Sequence, residues 1–144
     1  RIAVTAAFCR GMFNYVTEPP RPPIDGDVTL YHAPPHGNRD SLRRLVRSGL
    51  YVDIGGRILD KKREMLACHR SQKEWLDYSQ GMDSYLDNME VYGRENGQLS
   101  GVFDVAEGWR RHNWLGFCDA DADPLYDALA DHAVIDEKYE ASLR

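Results

Sequence analysis

The chain is poor in cysteine, and its three, Cys9, Cys68 and Cys118, stand far apart. That excludes the dense disulfide framework of a small secreted domain and leaves no clustered thiolates for a structural zinc site, so a reducing, cytoplasmic setting is expected. No apolar run approaches the roughly 20 residues that span a bilayer. The start of the chain has neither the charged nor the apolar region of a signal peptide, so membrane insertion is not expected. There is no basic excess either: 18 Lys and Arg against 23 Asp and Glu give a net charge of −5. Arg43, Arg44 and Arg47 form only a local cluster, read as a solvated helix face, and a nucleic-acid partner is not expected. Internal repeats, a phosphate-cradling glycine motif and a nucleophile-elbow serine are all missing. Nothing in the pattern excludes an oligomer.

What remains is ordinary globular material, 144 residues of which 42% are hydrophobic and 28% charged, enough for one core. Arg1 stands where a complete chain would open with Met, so further sequence is expected upstream. The stretch that organises the rest is Tyr51 to Leu76. Tyr51, Val52 and Ile54 are strand formers, Gly55 and Gly56 break the strand, and Arg57 to Tyr78 contains no Pro or Gly. This predicts a short strand turning directly into the longest helix. On that helix Ile58, Met65, Leu66, His69, Gln72 and Leu76 share one broad face, so an imidazole and a carboxamide sit in an apolar stripe. If buried they need partners, because an unsatisfied polar group costs about 1–3 kcal/mol. Two readings stand: hydrogen-bonded core residues that tie the helix to a loop, or groups that reach the wall of an active site.

In chain order, Arg1 to Met12 has loose helical periodicity ended by Gly11. Residues 18–26 open with four prolines in five positions, Pro19 to Pro23, which can form neither helix nor central strand and predict an extended connector. Val28 to Ala33 reads as a strand buried in a parallel sheet. His32-Ala-Pro-Pro-His36-Gly37 follows at its carboxyl end, where ligands gather in open α/β sheets. His32 and His36 are therefore candidates to line a substrate loop, with plain loop histidines as the competing reading. Zinc ligation is the weaker reading, because Pro34 and Pro35 exclude the helix that would hold two histidines on one face.

Ser41 to Leu50 carries a helical stripe, Leu42, Leu45 and Val46, closed by Gly49. Met82 to Glu95 predicts a second helix, antiparallel to the first, with Met82, Tyr85, Leu86, Met89 and Tyr92 as core and an end near Gly93, Asn96 and Gly97. Asp104, Glu107, Arg110, Arg111 and His112 form a polar concentration that reads as a salt-bridged helix face. Acids alternate in Cys118 to Asp123, but Pro124 and Ala130 stand where a calcium loop needs Gly and an acid. Asp123 and Pro124 instead read as the cap and first turn of a helix over Leu125–His132. Residues 133–144 read as a charged C-terminal helix or tail beyond a single domain over 1–132.

The run Val52-Asp53-Ile54, then Lys62-Arg63-Glu64-Met65-Leu66-Ala67-Cys68-His69-Arg70-Ser71-Gln72 followed by Trp75, resembles the second half of the PIG-L (LmbE-like) zinc-dependent N-deacetylases. Leu30-Tyr31-His32 resembles that family's late strand, and Ala106-Glu107-Gly108-Trp109 is similar to its Ala-Glu-small-aromatic signature. The resemblance spans about residues 1–129. It implies an α/β chain, the C-terminal part of a Rossmann-like (LmbE-like) fold with few strands and long helices. It also implies a hydrolase that removes an acetyl group from an N-acetylated amino sugar or related amide by zinc-activated water. The family's zinc ligands and general base lie in a His-Pro-Asp-Asp-Glu-like run and a His-x-x-His-like segment. Neither occurs here.

Zinc and the metal-binding half are thus expected outside this chain, with no metal ligand and no catalytic residue within it. At Asp53 many members of the family offer a Ser to cap the coming helix, and this chain departs from them. Glu107, placed by the resemblance, could orient substrate or a neighbouring His. The substrate-side candidates are His32, His36, His69, Gln72 and Glu107. A non-catalytic module that binds a ligand or partner on the same scaffold is the alternative, and a fragment whose sheet edge pairs with another polypeptide is a third.

Overall fold

A computed structural model describes residues 1–80 and 85–143. Four short strands form one antiparallel sheet in the order β1-β3-β2-β4: β1 (Tyr31–His32), β2 (Leu50–Asp53), β3 (Ala106–Arg111) and β4 (Ala133–Ile135). Around it lie α1 (Ile2–Cys9), α2 (Arg57–Ala67), α3 (Arg70–Gln80), α4 (Tyr85–Ser100), α5 (Pro124–Leu129) and α6 (Glu137–Ser142). The chain is therefore mixed α/β, but the parallel sheet expected around Val28–Ala33 is not formed. The helices between β2 and β3 make an out-and-back excursion, and β3 begins beside the end of β2, with Ala106 opposite Asp53. That return forces an antiparallel pair, whereas a parallel pair needs a crossover to the opposite end of the sheet.

β2 is the centre. It is paired on both edges, and Leu50, Tyr51 and Val52 are buried in succession, which requires cover on both faces of the strand. With Ile54, Val105, Ala106 and Phe117 they make up the buried apolar core. The strand turns as expected: the Asp53 carboxylate accepts the Gly55 N–H at 2.8 Å, and Gly56 takes a positive φ of 56° before α2. Asp53 thus ties the turn before α2, while the first turn of α2 itself has no side-chain cap.

Three expectations fail for identifiable reasons. The single helix over Arg57–Tyr78 is broken at Cys68 and His69, although neither residue is a helix breaker. The Leu66 carbonyl there receives the Tyr85 hydroxyl and the His69 N–H, while the Arg70 N–H goes to Cys68 O. A side chain inserted into the backbone ladder ends the helix. The helix expected over Ser41–Leu50 is a loop, because the Asp40 carboxylate accepts the N–H groups of Leu42 at 2.8 Å and Arg44 at 2.9 Å, with Arg43 at φ 66°. Side-chain acceptors of this kind compete with helix formation. The arginine cluster accordingly lies on a loop, with Arg47 Nη2 2.6 Å from Asp136 Oδ2. Residues 133–143, expected as a helix or tail beyond the domain, do include a helix, α6, but belong to the same fold. β4 pairs with β2, and Asp136 caps α6 by accepting the Tyr139 N–H at 3.0 Å.

Other expectations hold. α1 forms, residues 18–26 contain neither helix nor strand, and Asp123 caps α5 by accepting the Tyr126 N–H at 3.2 Å. The break expected at Gly81 and the helix start expected at Met82 lie outside the described residues. α4 does not end at Gly93–Gly97 but runs through them to Ser100. Gly97 is held so close to the segment before β3 that an added Cβ would stand 2.5 Å from Asp104 O. Its helical neighbours Gly93 and Asn96 line the cleft described next.

Candidate functional site

The cleft has a volume of about 390 Å³ and opens where α2, α4, β3 and the loop Ala33–Asn38 meet. This falls within the range of roughly 300–1,000 Å³ common to small-molecule sites. α4 contributes Tyr85, Met89, Tyr92 and Asn96; α2 contributes Lys62 and Leu66; β3 contributes Ala106 to Trp109. The loop closes over one side with His36, whose ring meets the Tyr92 ring edge-on at 5.2 Å.

Two polar anchors fix the geometry. Lys62 Nζ lies 2.6 Å from Glu107 Oε1, joining α2 to β3 with both side chains about one-third exposed. Asn38, buried at a left-handed φ of 51°, donates from Nδ2 to Tyr92 O at 3.2 Å and to Glu95 Oε2 at 2.9 Å. Arg39 grips the same carboxylate through Nη2 at 2.6 Å and Nη1 at 3.1 Å. The Arg39 hydrogen bond, joined by that of Asn38, holds the Glu95 carboxyl below its ordinary value against the opposing effect of burial. The loop that carries His36 is thereby pinned to α4.

Of the five expected substrate-side residues, the cleft collects two, His36 and Glu107. His32 lies on β1, and its Nε2 is 2.9 Å from His112 Nδ1, so one imidazole donates a hydrogen bond to the other. Burial first, then the charges of His112 and Arg110, push the His32 imidazole below its usual value. His69 and Gln72 are exposed at the junction of α2 and α3. The core reading of that pair fails, because the break after Ala67 leaves both side chains exposed, and neither lines the cleft. Glu107 lies on a strand and not on a salt-bridged helix face.

Lys62, Tyr85, Tyr92 and Asn96 were not among the candidates. On α4 the available signal was the spacing of Tyr85, Met89, Tyr92 and Asn96 by four, three and four residues, which puts them on one face; Lys62 carried no such signal. Tyr85 and Met89 read as core but line the cleft.

The residues present do not fit a zinc ion. Among the described residues no group of three or more His, Cys, Asp or Glu is placed to hold a metal, and the one close histidine pair is bonded to itself. No family model, curated protein or solved structure matches the chain. No helix among the described residues is long and apolar enough to cross a membrane.

Proposed function

We propose that this cleft binds an N-acetylated amino sugar or a related small amide. On this reading the chain supplies the substrate-side wall of a hydrolase that removes the acetyl group, and the zinc and general base implied by the resemblance to N-deacetylases are held by residues outside it. The observation that carries the reading is the meeting of His36 and Glu107, expected on separate grounds, in one cleft with aromatic walls and a Lys62–Glu107 pair. Tyr92 and Trp109 offer flat apolar faces to a sugar ring. Glu107 and His36 offer hydrogen bonds to its hydroxyls. Leu66 and Met89 leave a place for a methyl group.

Titration of the chain with N-acetylglucosamine, followed by calorimetry and by the indole resonance of Trp109, tests this. Expected is saturable binding that a chelator leaves unchanged and that Glu107→Gln weakens about tenfold, the loss of one charge-assisted hydrogen bond. Absence of binding, or binding indifferent to Glu107→Gln, sinks the reading. Stoichiometric zinc with acetate release by these 144 residues alone would overturn the placement of the metal elsewhere.

The exposed surface supports a second reading, a module whose function is to bind a partner polypeptide. The accessible area is 10658 Å² for 16.5 kDa, where a compact chain of that mass exposes about 7,500 Å². Large apolar side chains, Ile2, Phe13 and Val16 among them, stand in the open. A partner that raises the chain's stability while sugar does not bind would favour it.

A further inference from the structure

Asn96 is 7% exposed, lines the cleft, and has a buried Oδ1 with no hydrogen-bond partner. A carboxamide acceptor shut away from water without a donor destabilises the fold, and an apolar residue of similar size would remove that penalty and favour the helix. The contrast with Asn38 is direct. Asn38 is also buried and on the same cleft, and its Nδ2 has two partners. Ser48, Asp77 and Arg110 hold unpartnered buried atoms too, but none of them lines the cleft. Position 96 therefore combines an unpaired acceptor with a wall that a ligand can touch.

The chemistry of the surroundings narrows the ligand. Lys62 and Glu107 satisfy one another across the cleft, so neither a free cation nor a free anion is asked for. Leu66, Met89 and Ala106 line the same space and suit an apolar acyl methyl. A secondary amide presents an N–H donor next to such a methyl. The carboxamide torsion of Asn is broad and soft, which leaves Oδ1 free to reorient toward a ligand.

We infer that Asn96 is the specificity-determining residue of this cleft, with Oδ1 accepting the N–H of an acylamino ligand and selecting it over an ester of the same shape. This rests on the reading of the cleft as a ligand site. A site built around a hydrogen bond rejects the analogue that lacks it, because its own polar group is then left unpaired.

The experiment compares N-acetylglucosamine with its ester isostere, in which oxygen replaces the amide N–H, on the wild-type chain, Asn96→Leu and Asn96→Ala. Wild type is expected to favour the amide about tenfold, and both variants to bind the two ligands within about twofold of each other. Thermal unfolding of Asn96→Leu is expected at or above the wild-type temperature, which a merely structural asparagine would not give. Equal amide preference in wild type and variants overturns the role of Asn96 while leaving the cleft as a ligand site. No binding of either compound by wild type overturns both.

Discussion

α4 and the pair α2–α3 pack in opposite ways to what their sequences suggest. α2 and α3 carry the clearer apolar stripe, yet no residue of α2 is buried, and Ile58 is 57%, Met65 63% and Trp75 56% exposed. α4 has a weaker stripe interrupted by glycines, and its buried residues are Gly93, Asn96 and Gly97. The difference is what each helix has to meet. α4 lies on β3 and β2, where the backbones approach too closely for side chains, so its contact face is made of small residues. Periodicity of large apolar groups reports a face that could be covered. Burial of small ones reports a face that is.

The sharpest way to break this comparison is Gly97→Ala. The new Cβ would stand 2.5 Å from Asp104 O and 2.7 Å from Phe103 O, both backbone atoms that cannot turn aside. Overpacking of this kind costs about 1–3 kcal/mol or more, against about 1 kcal/mol regained in helix propensity. A net loss of about 2 kcal/mol in chemical denaturation is expected, together with loss of ligand binding as α4 lifts from β3. Gly93→Ala is the comparison, because its Cβ would meet one methyl of the buried Val105 at 2.9 Å and no backbone atom closer than 3.8 Å, so a smaller loss is expected. Equal losses at the two sites would show that backbone approach is not what sets this face.

A smaller effect tests how the cleft loop is fastened to α4. Arg39, and then Asn38, hold the Glu95 carboxyl below its ordinary value. A depressed carboxyl contributes stability that is present above the unfolded-state value and is lost as pH falls through the lowered folded-state value. The wild-type melting temperature should therefore drop through that acid window more steeply than that of Glu95→Gln, while at neutral pH the variant should melt slightly lower. Parallel acid profiles for the two proteins would remove Glu95 from the fastening.

Legibility in the sequence followed the range of the deciding interaction. The β2 turn and the start of α5 were readable because Gly55, Gly56, Asp123 and Pro124 act within a few residues. The break at Cys68 was not, because the Tyr85 hydroxyl that makes it arrives from 19 residues away in sequence. Asp40 shows a subtler limit. A carboxylate that accepts nearby N–H groups opens a helix at Asp123 and closes a loop at Asp40, and the sequence signal is the same for both. The direction of the sheet depended on where three helices return the chain, which no local pattern encodes. At the site, His36 and Glu107 were readable from a loop after a strand and from a family resemblance. Asn96 looked like a helix terminator because Gly97 flanks it, whereas that glycine serves a close approach to the backbone of Phe103 and Asp104.

The smallest expected effect lies on the other side of the comparison. Met65→Ser on α2 removes an apolar side chain that is 63% exposed, so the folded chain loses little when it becomes polar. A change within about 0.5 kcal/mol is expected, with less self-association at high concentration. The magnitude is informative because Met65 shares its stripe with Ile58, which is 57% exposed. If Met65→Ser instead costs more than about 1 kcal/mol, and the cost grows with protein concentration, the stripe is covered in solution by another copy of the chain. The contrast between α4 and α2 would then be one between a face satisfied within the chain and a face satisfied between chains, and the legible stripe of α2 would have been reporting burial after all.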